Sequence, residues 1–209
     1  MYTLYYGRGA ASLAIHAALK EIGTPYELAE VDLEAGQQRS PEYLRLNPQG
    51  KVPTLLVDGK PCHESAALMM ILAERHPQAA LAPAAGTLER AEWYELLVTM
   101  ANSLGNNFRL WFYPQDIGSS QEDGAVRGAV KGRIESMWDQ LDARLAANGP
   151  YLQGEHCSGA DLMLTMYMRW SRNMPRPATD WPALRTYADL MRARPSWRHV
   201  TEVEALTGW

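Results

Sequence analysis

Residues 47–65 read NPQGKVPTLLVDGKPCHES. Thr54–Val57 is a strand by composition, yet Pro53 stands at its mouth. Proline has no N–H to give a sheet ladder, so a strand accepts it only at its first residue or on an edge. Its ring also keeps the preceding Val52 extended, with backbone groups free for another partner. Asp58-Gly59 fits a tight primed turn, which makes the stretch TLLVDGKPCH a hairpin. Directly behind it, Glu64-Ser65 opens an apolar helical run, ESAALMMILAERH, that stops before Pro77.

Upstream, the pattern alternates. YTLYY (2–6) is β-branched and aromatic, as a short strand is. ASLAIHAALKEIG (11–23) carries Leu13, Ile15, Ala18, Leu19 and Ile22 at helical spacing and closes on Gly23. YELAEVDL (26–33) is a second strand, and SPEYLRLNP (40–48) a short helix with Ser40 as N-cap and Pro41 at its first position. The order β-α-β-α-β-β-α implies a mixed sheet flanked by helices, because parallel neighbours need a helical crossover.

After HPQAALAPAAGT (76–87) the strand signal disappears, which places a domain boundary near residue 82. LERAEWYELLVTMANSLGNNFRLWFY (88–113) reads as one long helix, followed by helices over 126–149, 158–173, 181–194 and beyond Pro195. SGAD (158–161) is a capping box with Asp in place of Glu. The expectation is an α/β domain over 1–81 and an all-helical domain over 87–209.

Among the 209 residues, 46% are hydrophobic and 21% charged, the balance of an ordinary globular protein. The net charge of −4 argues against nucleic acid as a partner. Two distant cysteines, Cys62 and Cys157, suggest neither a disulfide framework nor a zinc site, and point to a reducing cytoplasm. The longest apolar run, AALMMILA, is too short to span a bilayer, and no leader precedes the first strand.

With NPQGKVPTL, HESAAL and SGADL in this order, the whole chain resembles a cytosolic glutathione S-transferase of the bacterial beta, phi and theta type. The resemblance implies a thioredoxin-like first domain, a cis peptide at Pro53 and glutathione as co-substrate, with no metal. It implies that Val52 pairs through its backbone with the cysteinyl part of the tripeptide, like an added strand. Glu64 and Ser65 would take the γ-glutamyl end, where the free N–H groups and dipole of a helix start also favour an anion. Gln38 and Arg39 stand where relatives hold the glycyl carboxylate, and Lys51 where a glutamine is usual. Arg39 and Lys51 also read as ordinary solvated surface residues.

A thiol with a pKa of roughly 8.5 is only about 3% ionised at neutral pH, so a transferase needs a donor to the thiolate. Lowering that pKa by two units takes about 2.7 kcal/mol, within reach of one hydrogen bond to the charged form at about 1.5–3 kcal/mol. The stretch YYGRGAASL departs from the beta-class pattern, because Ala11 stands where those relatives have cysteine and phi and theta relatives serine. The remaining donors are Ser12, then Tyr5, then Arg8. Ser12 equally suits a cap and Tyr5 equally suits packing, so the choice stays open.

By resemblance, the electrophile lies between the domains, lined by the first long helices of the second half. Phe108, Tyr113 and Met166 offer adaptable apolar surface, although such residues at helical spacing also build cores. Asn106 and Arg109 belong to a polar strip, with Asn102, facing either the ligand or a partner subunit. The family implies a homodimer. The reading is an enzyme joining glutathione thiolate to a hydrophobic electrophile. The alternatives are a glutathione-binding module with little catalysis, or a glutathione-dependent isomerase or dehalogenase.

Overall fold

The computed structural model describes residues 1–209, which form two compact units: Met1–Ala82 with Arg192–Gly208, and Pro83–Met191 with Trp209. In the first unit β1 (Tyr2–Tyr6), α1 (Leu13–Ile22) and β2 (Tyr26–Glu30) make a parallel crossover unit. The short helix α2 (Pro41–Leu46) follows, then the hairpin β3 (Thr54–Val57) and β4 (Lys60–His63), then α3 (Ser65–Arg75). The sheet runs β2-β1-β3-β4, with β3 antiparallel to both neighbours. Alternate residues of β1 turn inward, and Leu4 is sealed from solvent, as are Leu13, Leu55, Leu68 and Leu72 of the elements around it.

Local chemistry sets the ends of these elements. Gly23 closes α1 at φ 71, returning its N–H to Leu19 and Lys20. Ser40 caps α2 by accepting from the Tyr43 N–H. The hairpin turns on Asp58 and Gly59, at φ 52 and 78, the positive angles a primed turn demands.

The second unit holds α4 (Leu88–Met100), α5 (Asn106–Phe112), α6 (Gly124–Asn148), α7 (Gly159–Trp170) and the first ten residues of α8 (Pro182–Ala193). Its core centres on Trp93, Trp138 and Phe108. The stretch expected as one helix over 88–113 is interrupted by a π-helical turn, Ala101–Gly105. A Cβ on Gly105 would sit 3.0 Å from the Tyr167 hydroxyl, so a larger residue would have to push that ring back from the wide turn. Ser158 and Asp161 form the capping box at the start of α7. No helix is long and apolar enough to cross a membrane.

The segment Arg192–Gly208, with α9 (Pro195–Val203), clusters with the first unit, whereas the sequence carried the helical domain through to 209. The polar ties that hold it there are distant in sequence. Arg194 and Ser196 both bond Glu21 of α1, and Glu204 reaches His16. His199 lies within 3.4 Å of the Tyr26 hydroxyl. Burial, then Lys20 and His16, push its pKa below 6.5, with Glu202 pulling the other way. The folded chain therefore disfavours the protonated ring, and stability present above pH 6.5 is lost as the pH falls through the depressed value. The thermal midpoint should drop on mild acidification in the wild type and drop less in His199→Gln.

Candidate active site

Strand register brings three loops to one end of the sheet. Tyr5, near the end of β1, pairs with Thr54 at the start of β3, and Thr54 pairs with His63 at the end of β4. The loops after β1 (Gly7–Ser12), before β3 (Asn47–Pro53) and after β4 (Glu64–Ser65) therefore meet. Ser65 makes the link explicit, its hydroxyl donating to the Ala11 carbonyl at 2.9 Å.

The loop before β3 is pinned from behind. The Lys51 carbonyl accepts from the Tyr43 hydroxyl and the Asn47 side-chain amide, both at 2.7 Å. The Val52–Pro53 peptide is cis, and Val52 is half-buried. Gly50 takes φ 60, and a Cβ there would meet the Gln38 carbonyl at 2.9 Å and the Arg39 side chain at about 3.1 Å. Gln38 and Arg39 thus lie against the residue next to Lys51. Arg39 and Lys51 are exposed, while the Gln38 side-chain oxygen is buried without a partner.

Glu64 precedes α3 at φ 70, an uncommon angle for a residue with a side chain, and is exposed. The first turn of α3 carries the uncompensated N–H groups of a helix start beside Ser65. At α1, Leu13 and Ile15 return their N–H groups to the Ala10 and Ser12 carbonyls, and the Ala11 N–H ahead of the helix stays outside these bonds.

The three donors proposed for a thiolate fare differently. Ser12 is sealed, and its Oγ donates to the Gly7 carbonyl at 3.1 Å while accepting from the Gly7 N–H at 3.2 Å. That hydroxyl closes the turn into α1 within a residue no ligand can reach, so the first choice from sequence is corrected. Arg8 is ion-paired to Glu30 at 2.7 Å, on the carboxylate that also takes the Tyr6 hydroxyl. The same carboxylate raises the Arg8 pKa and, after burial, that of Tyr6. Tyr5 is half-buried, edge-on to Tyr43 at 6.0 Å, and its phenol is engaged in neither pairing.

In the second unit, Phe108 and Met166 are fully buried, Phe108 stacking on Tyr167 at 6.3 Å. Both are core residues rather than the walls of an open pocket, another correction. Asn106 and Tyr113 are exposed, and Arg109 binds Asp116 at 2.5 Å while covering the Tyr113 ring at 4.0 Å. Glu204, whose Oε2 accepts from the Gly9 N–H at 2.8 Å, is the site neighbour that sequence reasoning missed. At 195 residues from Gly9, no local signal marks it.

Residues 1–74 match the family model "Glutathione S-transferase, N-terminal domain". Glutathione S-transferase GST-4.5 of Xanthomonas campestris pv. campestris is 30% identical, over 97% of this chain and 98% of its own. The chain belongs to the glutathione S-transferase family. It is an enzyme of that family, a transferase with a thioredoxin-like first unit and a helical second part. A maleylacetoacetate isomerase of Pseudomonas aeruginosa is 29% identical, over 95% of this chain and 93% of that protein. Among solved structures, a glutathione transferase homologue from Sulfitobacter with bound glutathione superposes with a TM-score of 0.90, at 27% identity over 99% of each chain.

Proposed function

We propose that this transferase binds glutathione on its first unit and joins the thiolate to a small hydrophobic electrophile. The supporting observation is the convergence of the three loops, tied by Ser65 on Ala11, at the end of the sheet where Val52 is half-buried. The tripeptide runs along Val52 beside Pro53, with its γ-glutamyl end on Ser65, Glu64 and the α3 amides. Its glycyl carboxylate faces Arg39 and Lys51, with Gln38 behind. Asn106, Arg109 and Tyr113 are the members of the expected electrophile set that reach the surface of the second unit. The working form in this reading is a cytoplasmic homodimer, which light scattering checks.

With Ser12 and Arg8 engaged elsewhere, the thiolate is stabilised by the Ala11 amide ahead of α1 and by the Tyr5 hydroxyl. One pKa unit is a tenfold change in the thiolate-to-thiol ratio. Tyr5→Phe should raise the pKa of bound glutathione by about one unit, read from thiolate ultraviolet absorbance against pH. An unchanged pKa removes Tyr5 from the scheme. Calorimetry with glutathione and turnover of chlorodinitrobenzene test the reading as a whole, and no heat together with no product would overturn it. The isomerase relative supports a second reading, a glutathione-dependent isomerisation at the same site, to be tested with maleylacetoacetate.

A further inference from the structure

Two carboxylates in this chain are fully buried, those of Asp161 and Glu204. Asp161 caps α7. Glu204 is the C-cap residue of α9, where the negative end of the helix dipole disfavours an acid, and burial disfavours it again. Its position has another reason. Oε1 accepts from His16 Nδ1 at 2.8 Å, and Oε2 accepts from the Gly9 N–H at 2.8 Å. His16 is itself sealed, on the first turn of α1, with its N–H returned to the Ser12 carbonyl. The carboxylate therefore spans from the helix to the loop that leads into it.

That loop is held at every second residue. Ser12 clasps the Gly7 peptide, Glu204 takes the Gly9 N–H, and Ser65 takes the Ala11 carbonyl. Gly9 adopts φ 63 as the third residue of a turn that the Ala10 N–H closes on the Gly7 carbonyl, and Glu204 holds that turn through the Gly9 N–H. We propose that Glu204, aligned by His16, is a positioning residue for the reaction: by fixing Gly9 it aims the amide of Ala11 at the glutathione sulfur. This rests on the glutathione reading above. It assigns a task in the site to a residue beyond the last helix, on the opposite end of the sequence from the loop it serves.

Three full-length variants test it. Glu204→Gln keeps an oxygen for Gly9, and its NH2 can donate to His16 Nδ1 once the ring proton moves to Nε2, which now lacks a partner. Glu204→Asp keeps the charge but is one methylene too short to reach both groups. His16→Asn leaves the carboxylate unaligned. Glutathione affinity is measured by calorimetry, the bound-thiol pKa by thiolate absorbance, and folding by thermal midpoint. For Glu204→Asp the thiolate-to-thiol ratio should fall about tenfold, one pKa unit, while affinity changes less than about threefold. For His16→Asn the fall should be about threefold, and for Glu204→Gln smaller still.

A lower thermal midpoint with an unchanged thiol pKa in Glu204→Asp and His16→Asn makes Glu204 merely structural and overturns the proposal. A shift in Glu204→Gln with none in Glu204→Asp makes charge, not placement, the cause, and overturns it too. If Glu204→Asp does not fold, His16→Asn alone decides. If the wild type binds no glutathione, the functional reading falls and this inference with it, whereas wild-type binding with unaltered variants sinks this inference alone.

Discussion

Replacing Asp161 with alanine should lower the unfolding free energy by about 3 kcal/mol, which urea denaturation measures directly. The carboxylate is fully buried and gathers donors from three directions: the Leu152 N–H at 2.9 Å, the Ser158 N–H at 2.8 Å and hydroxyl at 2.9 Å, and the Tyr187 hydroxyl at 3.2 Å. Tyr187 has a second acceptor in the Asp161 carbonyl, and the Ser158 hydroxyl can turn. The two backbone N–H groups have no such escape, and each costs about 1–3 kcal/mol when buried without a partner. Burial pushes the Asp161 pKa up, against the pull of those hydrogen bonds. Asp161→Asn keeps one acceptor oxygen and should lose about half as much. A loss below about 1 kcal/mol for alanine would mean that water reaches both amides.

Ser65→Ala should weaken glutathione binding about tenfold to a hundredfold while leaving the fold nearly as stable. A hydrogen bond to a charged group contributes about 1.5–3 kcal/mol, and each 1.4 kcal/mol is a factor of ten. Ser65 is half-buried and its one recorded bond goes to the Ala11 carbonyl, so the truncation empties no core. Because its single hydrogen turns from the Ala11 carbonyl to the carboxylate on binding, the bound-thiol pKa should stay unchanged. A change below about threefold in calorimetry removes Ser65 from the γ-glutamyl end.

The frame of the site was legible because it depends on local chemistry. The Pro53 rule, the Asp58-Gly59 turn, the Ser40 cap and the SGAD box each act within a few residues, and together they place the loops. What was hidden depends on partners far along the chain. A hydroxyl at a helix start is visible in Ser12, but its attachment to Gly7 is not. Arg8 looks like a free cation until the parallel register of β1 and β2 sets Glu30 beside it, 22 residues on. The apolar spacing of Phe108 and Met166 is the same for a pocket wall as for a core. Gly105 was a readable warning inside a helical pattern, since an interior glycine weakens a helix and here marks the wide turn.

Because Arg192–Gly208 completes the first unit, that unit is not one continuous piece of chain. During synthesis, the partners of Glu21 and His16 leave the ribosome only after the whole helical unit has done so. Contacts spanning 173 and 188 positions are the costly kind to close, so the first unit made is among the last to be finished. A gene cut at residue 82 would yield a fragment with its buried histidine missing an acid, and a graft of this unit onto another protein must carry both ends of the chain.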